Sequence, residues 1–181
     1  MKKISLRHII LFLITLCLLF SSACGTKNKG DETTQPLDKM INGLLSEDTG
    51  LYKSAFPPDY ITALTEELSK IGENIDTLIS NAFKGGLDAH VVNYGDDTRI
   101  NYILISKEPM TQEELNEPYW DYYITDYNIP VGDITEAFKA NFDLTVKGDE
   151  SGSTKRAVYK LLKIDGIWYV HPESFLNMFS G

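Results

Sequence analysis

The spacing of apolar residues predicts helices in the first half of the chain. From Pro36 onwards they recur three or four residues apart, as on one face of a helix: Leu37, Met40, Ile41, Leu44 and Leu45. A second, short helix is predicted over residues 51–56. A third is predicted to open at Pro57-Pro58-Asp59 and to bury four residues before Gly72, namely Ile61, Leu64, Leu68 and Ile71.

Residues 75–94 allow two interpretations. Their apolar residues keep helical spacing for about five turns, and Gly95 is well placed to end such a helix. Against this, Gly85 and Gly86 each weaken a helix by roughly 1 kcal/mol. The alternative is a strand over residues 87–94. We favour one long helix.

The second half of the chain alternates between apolar and polar residues, as strands with one buried face do. Residues 99–106 are rich in β-formers. Residues 134–146 place one apolar set on a single face: Ile134, Phe138, Ala140, Phe142, Leu144 and Val146. A strand is predicted over residues 155–164. Asp165-Gly166 lies between its last residue, Ile164, and the apolar run 167–170, and predicts a two-residue hairpin loop.

Helices followed by an antiparallel meander predict an α+β domain. We expect a single domain over residues 36–181, in which the N-terminal helices pack on one face of a curved antiparallel sheet of about four strands.

Several stretches resemble a group of small lipoproteins from Gram-positive bacteria. They are Phe56-Pro57-Pro58-Asp59-Tyr60-Ile61, the acidic segment after Met110, the long strand at Ile134, and the ending Lys163-Ile164-Asp165-Gly166-Ile167-Trp168-Tyr169-Val170. The resemblance covers most of residues 36–179. It implies a cone-shaped α+β fold like that of nuclear transport factor two or cystatin, often with a pocket between helix and sheet. It implies no catalytic residues.

The first 23 residues have the pattern of an export signal. Lys2, Lys3 and Arg7 precede an apolar run over residues 9–20, and small residues follow. The run is shorter than the about 20 residues that span a bilayer. Ser21-Ser22-Ala23-Cys24 resembles a bacterial lipobox, which implies cleavage before Cys24 and lipidation of its thiol. The alternative is an ordinary cleaved signal that leaves Cys24 as a free thiol.

Residues 24–35 are predicted to be a flexible tether, since they contain no apolar residue after Cys24. The mature chain would then be held at the cell membrane by its lipid, facing outside the cytoplasm. Cys17 lies inside the signal, so no thiol is left for a disulfide or a metal site.

The charge of the chain argues against nucleic-acid partners. Removing residues 1–23 takes away three basic residues and no acidic ones, which moves the net charge from −9 to −12. So acidic a domain repels nucleic acid and anionic lipid headgroups. Membrane attachment is therefore expected from the acyl chains alone.

The stretch 117–127 holds five aromatic rings and three carboxylates. A capping box over residues 111–114 predicts a helix start, and Pro118 falls in the second turn of that helix. Tyr119, Tyr122 and Tyr123 would share the face of Leu115 and cover the sheet. Four residues outside that stripe are the candidate binding residues, because rings stack on a sugar or peptide and carboxylates accept hydrogen bonds: Trp120, Asp121, Asp126 and Tyr127.

No motif of a known catalytic, metal or cofactor site occurs in the sequence. His90 is predicted to be a hydrogen-bonded core histidine, and His171 to lie at the start of the last short helix. Two such distant histidines give no zinc spacing. Residues 148–152 are acidic, but they lack the ligand order of a calcium loop and are predicted to be a solvated hairpin loop.

Three functions therefore compete. The first is a lipid-anchored domain that binds a small ligand or a protein partner at the cell envelope, without catalysis. The second is a small enzyme that uses a helix–sheet pocket, with a Tyr–Asp pair or His90 as acid or base. The third is a purely structural envelope protein. Polar residues converging in a pocket would favour the first two, and a concave side filled by Phe138 and Phe142 would favour the third.

Overall fold

The computed structural model describes residues 30–117 and 131–175. Within the described residues, four helices precede the sheet: α1 (Gln35–Leu45), α2 (Thr49–Lys53), α3 (Pro58–Lys70) and α4 (Ile75–Tyr94). A fifth, α5 (Gln112–Asn116), follows the first strand. Short 3-10 turns occur at Glu32–Thr34, Val131–Asp133 and Pro172–Ser174. Across these two ranges, no helix is long and apolar enough to cross a membrane.

Four antiparallel strands form a curved, unclosed sheet in the order β1-β2-β3-β4. They are β1 (Arg99–Pro109), β2 (Ile134–Lys147), β3 (Gly152–Ile164) and β4 (Ile167–Val170). The predicted α+β fold is confirmed. So is the hairpin at Asp165-Gly166, where both residues have positive φ and the flanking Ile164 and Ile167 pair.

The open question over residues 87–94 is settled in favour of a helix. The Asn74 side chain accepts the N–H groups of Asp76 and Thr77 at the start of α4. Gly95 ends the helix at φ +87, a conformation that favours glycine. Gly85 and Gly86 stay helical because the first half of α4 is fixed by packing, which outweighs their weak intrinsic preference.

The core lies between the helices and one face of the sheet. Tyr52 on α2 is fully buried, and three rings lie within 5.7 Å of it, centroid to centroid: Phe56, Phe83 and Phe175. Its hydroxyl donates to the Phe175 carbonyl. The sheet contributes alternate residues of each strand, among them Ile100, Tyr102, Phe142, Leu144, Tyr159, Leu161, Trp168 and Val170.

Two residues differ from their predicted orientation. Ile134 was expected on the face of Phe138, but a bulge between Ile134 and Glu136 shifts the register. Ile134 therefore packs on the opposite face, against a small cluster around Met110 and Leu162. Ile71 was expected to point inward and is 62% exposed, because α3 ends at Lys70 and turns away through Gly72.

The folded domain begins earlier than Pro36. The Asp31 carboxylate accepts the N–H of Thr33 at 3.0 Å, and Thr33 and Thr34 are buried. Lys107 Nζ lies 2.6 Å from Asp31 Oδ2 and 5.2 Å from the centre of the Phe138 ring. Residues 31–35 of the predicted tether therefore belong to the domain. Side-chain hydrogen bonds and an ion pair hold them, which the absence of apolar residues did not reveal.

Candidate binding cleft

A cleft of about 200 Å³ lies between the C-terminal half of α4 and the core face of β1, β2 and β3. Its helix side is formed by Gly86, Ala89, His90, Asn93 and Tyr94. Its sheet side is formed by Ile100, Leu144, Val146, Ser153 and Lys155.

The cleft exists because one stripe of α4 changes its chemistry half-way along the helix. Residues three or four apart on this stripe are first large and buried, as in Ile75, Ile79 and Phe83. The stripe then continues through Gly86, His90 and Asn93, all of which line the cleft. Gly86 and the neighbouring Ala89 are too small to fill the space to the sheet, so a gap opens there.

On the sheet side, the strand register brings apolar and polar residues into the same space. Leu144 pairs with Lys155, and Val146 pairs with Ser153. Paired residues of an antiparallel sheet point to the same face. Lys155 and Ser153 therefore continue the core face of β3 beyond Tyr159, where the helix no longer covers it. The result is an apolar floor of Ile100, Leu144 and Val146 with polar groups along one side.

The loop between β2 and β3 closes one end of the cleft. The N–H groups of Glu150 and Ser151 both donate to the Tyr94 carbonyl, at 3.1 Å each, and Ser151 Oγ donates to the Asn93 carbonyl at 3.2 Å. The loop approaches so closely that a Cβ on Gly148 would lie 2.2 Å from the Tyr94 carbonyl oxygen. This loop therefore caps α4 in addition to joining two strands.

His90 faces the cleft in its neutral form at neutral pH. Burial lowers the pKa of its imidazole, and the positive charge of Lys155 lowers it further. The ring lies 6.0 Å from that of Tyr94, centroid to centroid. A neutral imidazole offers one hydrogen-bond donor and one acceptor. His90 was expected to be a core histidine and is instead half-buried in the lining of a cavity.

The other predicted site residues lie outside the described residues. These are Cys24 and the four candidates in the aromatic stretch, Trp120, Asp121, Asp126 and Tyr127. The capping box that precedes the stretch is confirmed, since Thr111 Oγ1 accepts the N–H of Glu114 and the Glu114 carboxylate accepts the N–H of Thr111. Helix α5 ends at Asn116, two residues before Pro118.

The concave side of the sheet is partly filled and partly open. Phe142 is fully buried, so the middle of the concave side is closed. Beyond it, polar residues converge in the cleft. Sequence reasoning missed Asn93, Ser153 and Lys155. One signal in the sequence points to this region, a helix stripe that passes from Phe83 to Gly86. The core-face position of Lys155 follows only from the pairing of β3 with β2.

Two other depressions are larger, at about 420 and 480 Å³, but they are open surface grooves. One lies beside α5 around Met110 and Leu115, and the other beside α3 around Ile61 and Tyr169. Within residues 30–117 and 131–175, no cluster of three or more histidine, cysteine, aspartate or glutamate side chains is arranged to hold a metal ion.

Comparisons of the chain with models of protein families, with curated proteins and with solved structures gave no match. The resemblance to small lipoproteins of Gram-positive bacteria therefore stays a prediction.

Proposed function

We propose that this chain is a lipid-anchored domain outside the cytoplasm and that it binds a small ligand in the cleft beside His90. The sequence pattern of residues 1–24 supports the anchor and the location. The cleft supports the binding, because ligand sites combine an apolar floor with a few convergent polar groups. That combination at the end of α4 is the observation that carries the proposal.

The position of the cleft suits a ligand that comes from outside. Asp31 and Lys107 lie near the Phe138 end of β2, and the cleft lies near its Val146 end. Eight residues of strand separate these ends by about 27 Å, at roughly 3.4 Å per residue. The seven residues from Cys24 to Asp31 reach at most about 25 Å. A chain anchored at Cys24 would thus keep the Asp31 end within about 25 Å of the membrane, and the cleft lies toward the opposite end of the strand.

A small enzyme is the second candidate, and His90 favours it. A neutral imidazole beside a lysine in a partly closed cavity has the protonation state of a general base. We nevertheless favour binding, because the titratable groups that line the cleft are His90, Tyr94 and Lys155. None of the hydrogen bonds within residues 30–117 and 131–175 joins two of these side chains as a base and its orienting partner.

A thermal-shift screen with small molecules tests the binding proposal. Ala89→Phe should fill the cleft, whereas Val92→Phe adds the same ring to a side chain of α4 that is 85% exposed and does not line the cleft. Compounds that raise the melting temperature of the wild type and of Val92→Phe, and not that of Ala89→Phe, would support the cleft as the site. Compounds that stabilise all three proteins equally, or none at all, would contradict it.

A substitution of His90, the candidate general base, distinguishes an enzyme from a binding protein. His90→Gln keeps a hydrogen-bonding side chain and removes the basic imidazole. If ligands identified in the screen are converted by the wild type and bound without conversion by His90→Gln, the chain is an enzyme. If both proteins bind them unchanged, binding is the function.

A further inference from the structure

We propose that the ligand of this cleft is a small monocarboxylate with a compact apolar body, and that Lys155 is its counter-ion. This inference rests on the proposed function and adds the chemical class of the ligand. It is carried by the position of Lys155, by the charges around the cleft, and by the size and lining of the cavity.

Lys155 occupies a core-face register position of β3 beyond the covered part of the sheet, where its side chain is exposed. It pairs with Leu144 and lies on the same face of β3 as Ala157, Tyr159 and Leu161. Other cations of β3 have carboxylates: Arg156 Nε is 2.6 Å from Asp143, and Lys163 Nζ is 2.6 Å from Glu136. Lys155 has no carboxylate within 4 Å in the described part of the chain.

The charges that line the cleft favour an anion although the protein as a whole is acidic. The chain has 26 acidic and 17 basic residues, yet the lining contains one lysine and no carboxylate among the described residues. The positive charge of Lys155 acts on His90. Burial is the main cause that lowers the pKa of His90, and the charge of Lys155 lowers it further. Asp149 and Glu150 lie on the neighbouring loop, beside Gly95, and outside the lining. A carboxylate inside the cleft would neutralise Lys155 at close range.

The lining also offers neutral donors for a carboxylate. Ser153, Asn93 and the neutral imidazole of His90 each carry a hydrogen-bond donor. A charged acceptor makes stronger hydrogen bonds with such groups than a neutral one does. The apolar floor of Ile100, Leu144 and Val146 leaves no polar partner for the rest of the ligand.

The volume limits how large that apolar body is. The cleft measures about 200 Å³. Pockets for drug-sized ligands are larger, about 300–1,000 Å³. A single ring or a short branched chain therefore matches the cleft.

The test compares 3-phenylpropionate with its neutral amide, 3-phenylpropanamide, by calorimetric titration of the full chain in detergent micelles, with micelles alone subtracted. We expect the acid to bind about tenfold more tightly than the amide. Lys155→Gln should remove this difference. Lys84→Gln, which changes an exposed lysine of α4 that does not line the cleft, should leave it intact.

A second readout follows the proton on His90. A carboxylate that neutralises Lys155 should raise the pKa of His90, so binding of the acid should shift the NMR titration of this ring to higher pH and binding of the amide should not. His90→Gln identifies the signal. A merely structural Lys155 would leave the titration of His90 the same with either compound.

Three results would overturn the inference: equal affinity for the acid and the amide, an acid preference that survives Lys155→Gln, or no binding of either compound. These results leave the proposed function standing if other molecules still stabilise the wild type and not Ala89→Phe. If no molecule distinguishes those two proteins, the cleft is not a binding site and both proposals fail.

Discussion

The buried histidine at the start of the last 3-10 turn predicts that the protein loses stability as the pH is lowered through a defined range. His171 is 7% exposed, and its Nδ1 accepts the backbone N–H of Glu173 at 3.2 Å, which fixes the ring in a form without a proton on that nitrogen. Burial lowers the pKa of His171 from 6.5 to about 4 and outweighs the nearby Glu173 carboxylate, which raises it. Lys160 adds to the lowering.

The sign and size of the effect follow from this shift. Because the folded pKa lies below the unfolded one, the unfolded chain takes up the proton first as the pH falls. The contribution of His171 to stability is therefore complete above pH 6.5 and is lost as the pH approaches 4. The loss is about 2 kcal/mol at pH 5 and about 3 kcal/mol at pH 4, at about 1.4 kcal/mol per pH unit.

The assay is urea denaturation of the wild type and of His171→Asn between pH 4 and pH 8. Asparagine does not titrate, and its side-chain oxygen is able to accept the same N–H. Carboxylates remote from residue 171 affect both proteins alike, so the difference between the two curves reports on His171 and its contact with Glu173. We expect the wild type to lose stability relative to the variant below pH 6.5. A difference that stays constant from pH 8 to pH 4 would refute the reasoning.

Four further changes have defined outcomes. Gly148→Ala should lower the free energy of unfolding by about 1–3 kcal/mol in urea melts, because its Cβ would collide with the Tyr94 carbonyl; Gly85→Ala, with no atom within 4 Å, should instead raise it by about 1 kcal/mol. Tyr52→Phe should cost about 1–2 kcal/mol by the same measurement, since it removes the buried hydrogen bond to the Phe175 carbonyl. Cys24→Ala should move the protein from the membrane fraction to the soluble fraction or stall its processing, and unchanged fractionation and mass would contradict lipidation.

The helices and strands could be predicted because their patterns are local. The spacing of Ile75, Ile79 and Phe83 already contains the periodicity of α4, and Asp165-Gly166 contains the geometry of its hairpin. The α+β class follows from the order of these elements. The local pattern could not predict the register of the strands, as Ile134 shows. An extra residue in a bulge moves its side chain to the other face of the sheet, and the alternation of apolar and polar residues does not reveal the bulge.

The cleft could be predicted only in part, because it depends on which residues of α4 face which residues of the sheet. A lysine in an alternating strand is normally predicted to lie on the solvent-exposed face. Only the pairing of Lys155 with Leu144 places it on the core face. His90 on an apolar helix stripe reads as a core residue. Its true surroundings depend on Gly86, whose missing side chain leaves the space that His90 lines. The contacts between α4 and the strands determine these surroundings, and the sequence pattern of a single helix or strand does not contain them.

Under the proposed function, the two halves of α4 divide stability from binding. In the first half, burying Ile75, Ile79 and Phe83 contributes roughly 1.5–3 kcal/mol for each side chain. The second half buries no comparable side chain and is held at its end by the loop that donates to the Tyr94 carbonyl. A helix that had to fill the cleft for its own stability would leave no room for a ligand. Because the first half and the loop fix both ends, Gly86, His90 and Asn93 between them need not fill the space to the sheet, and they line the cleft.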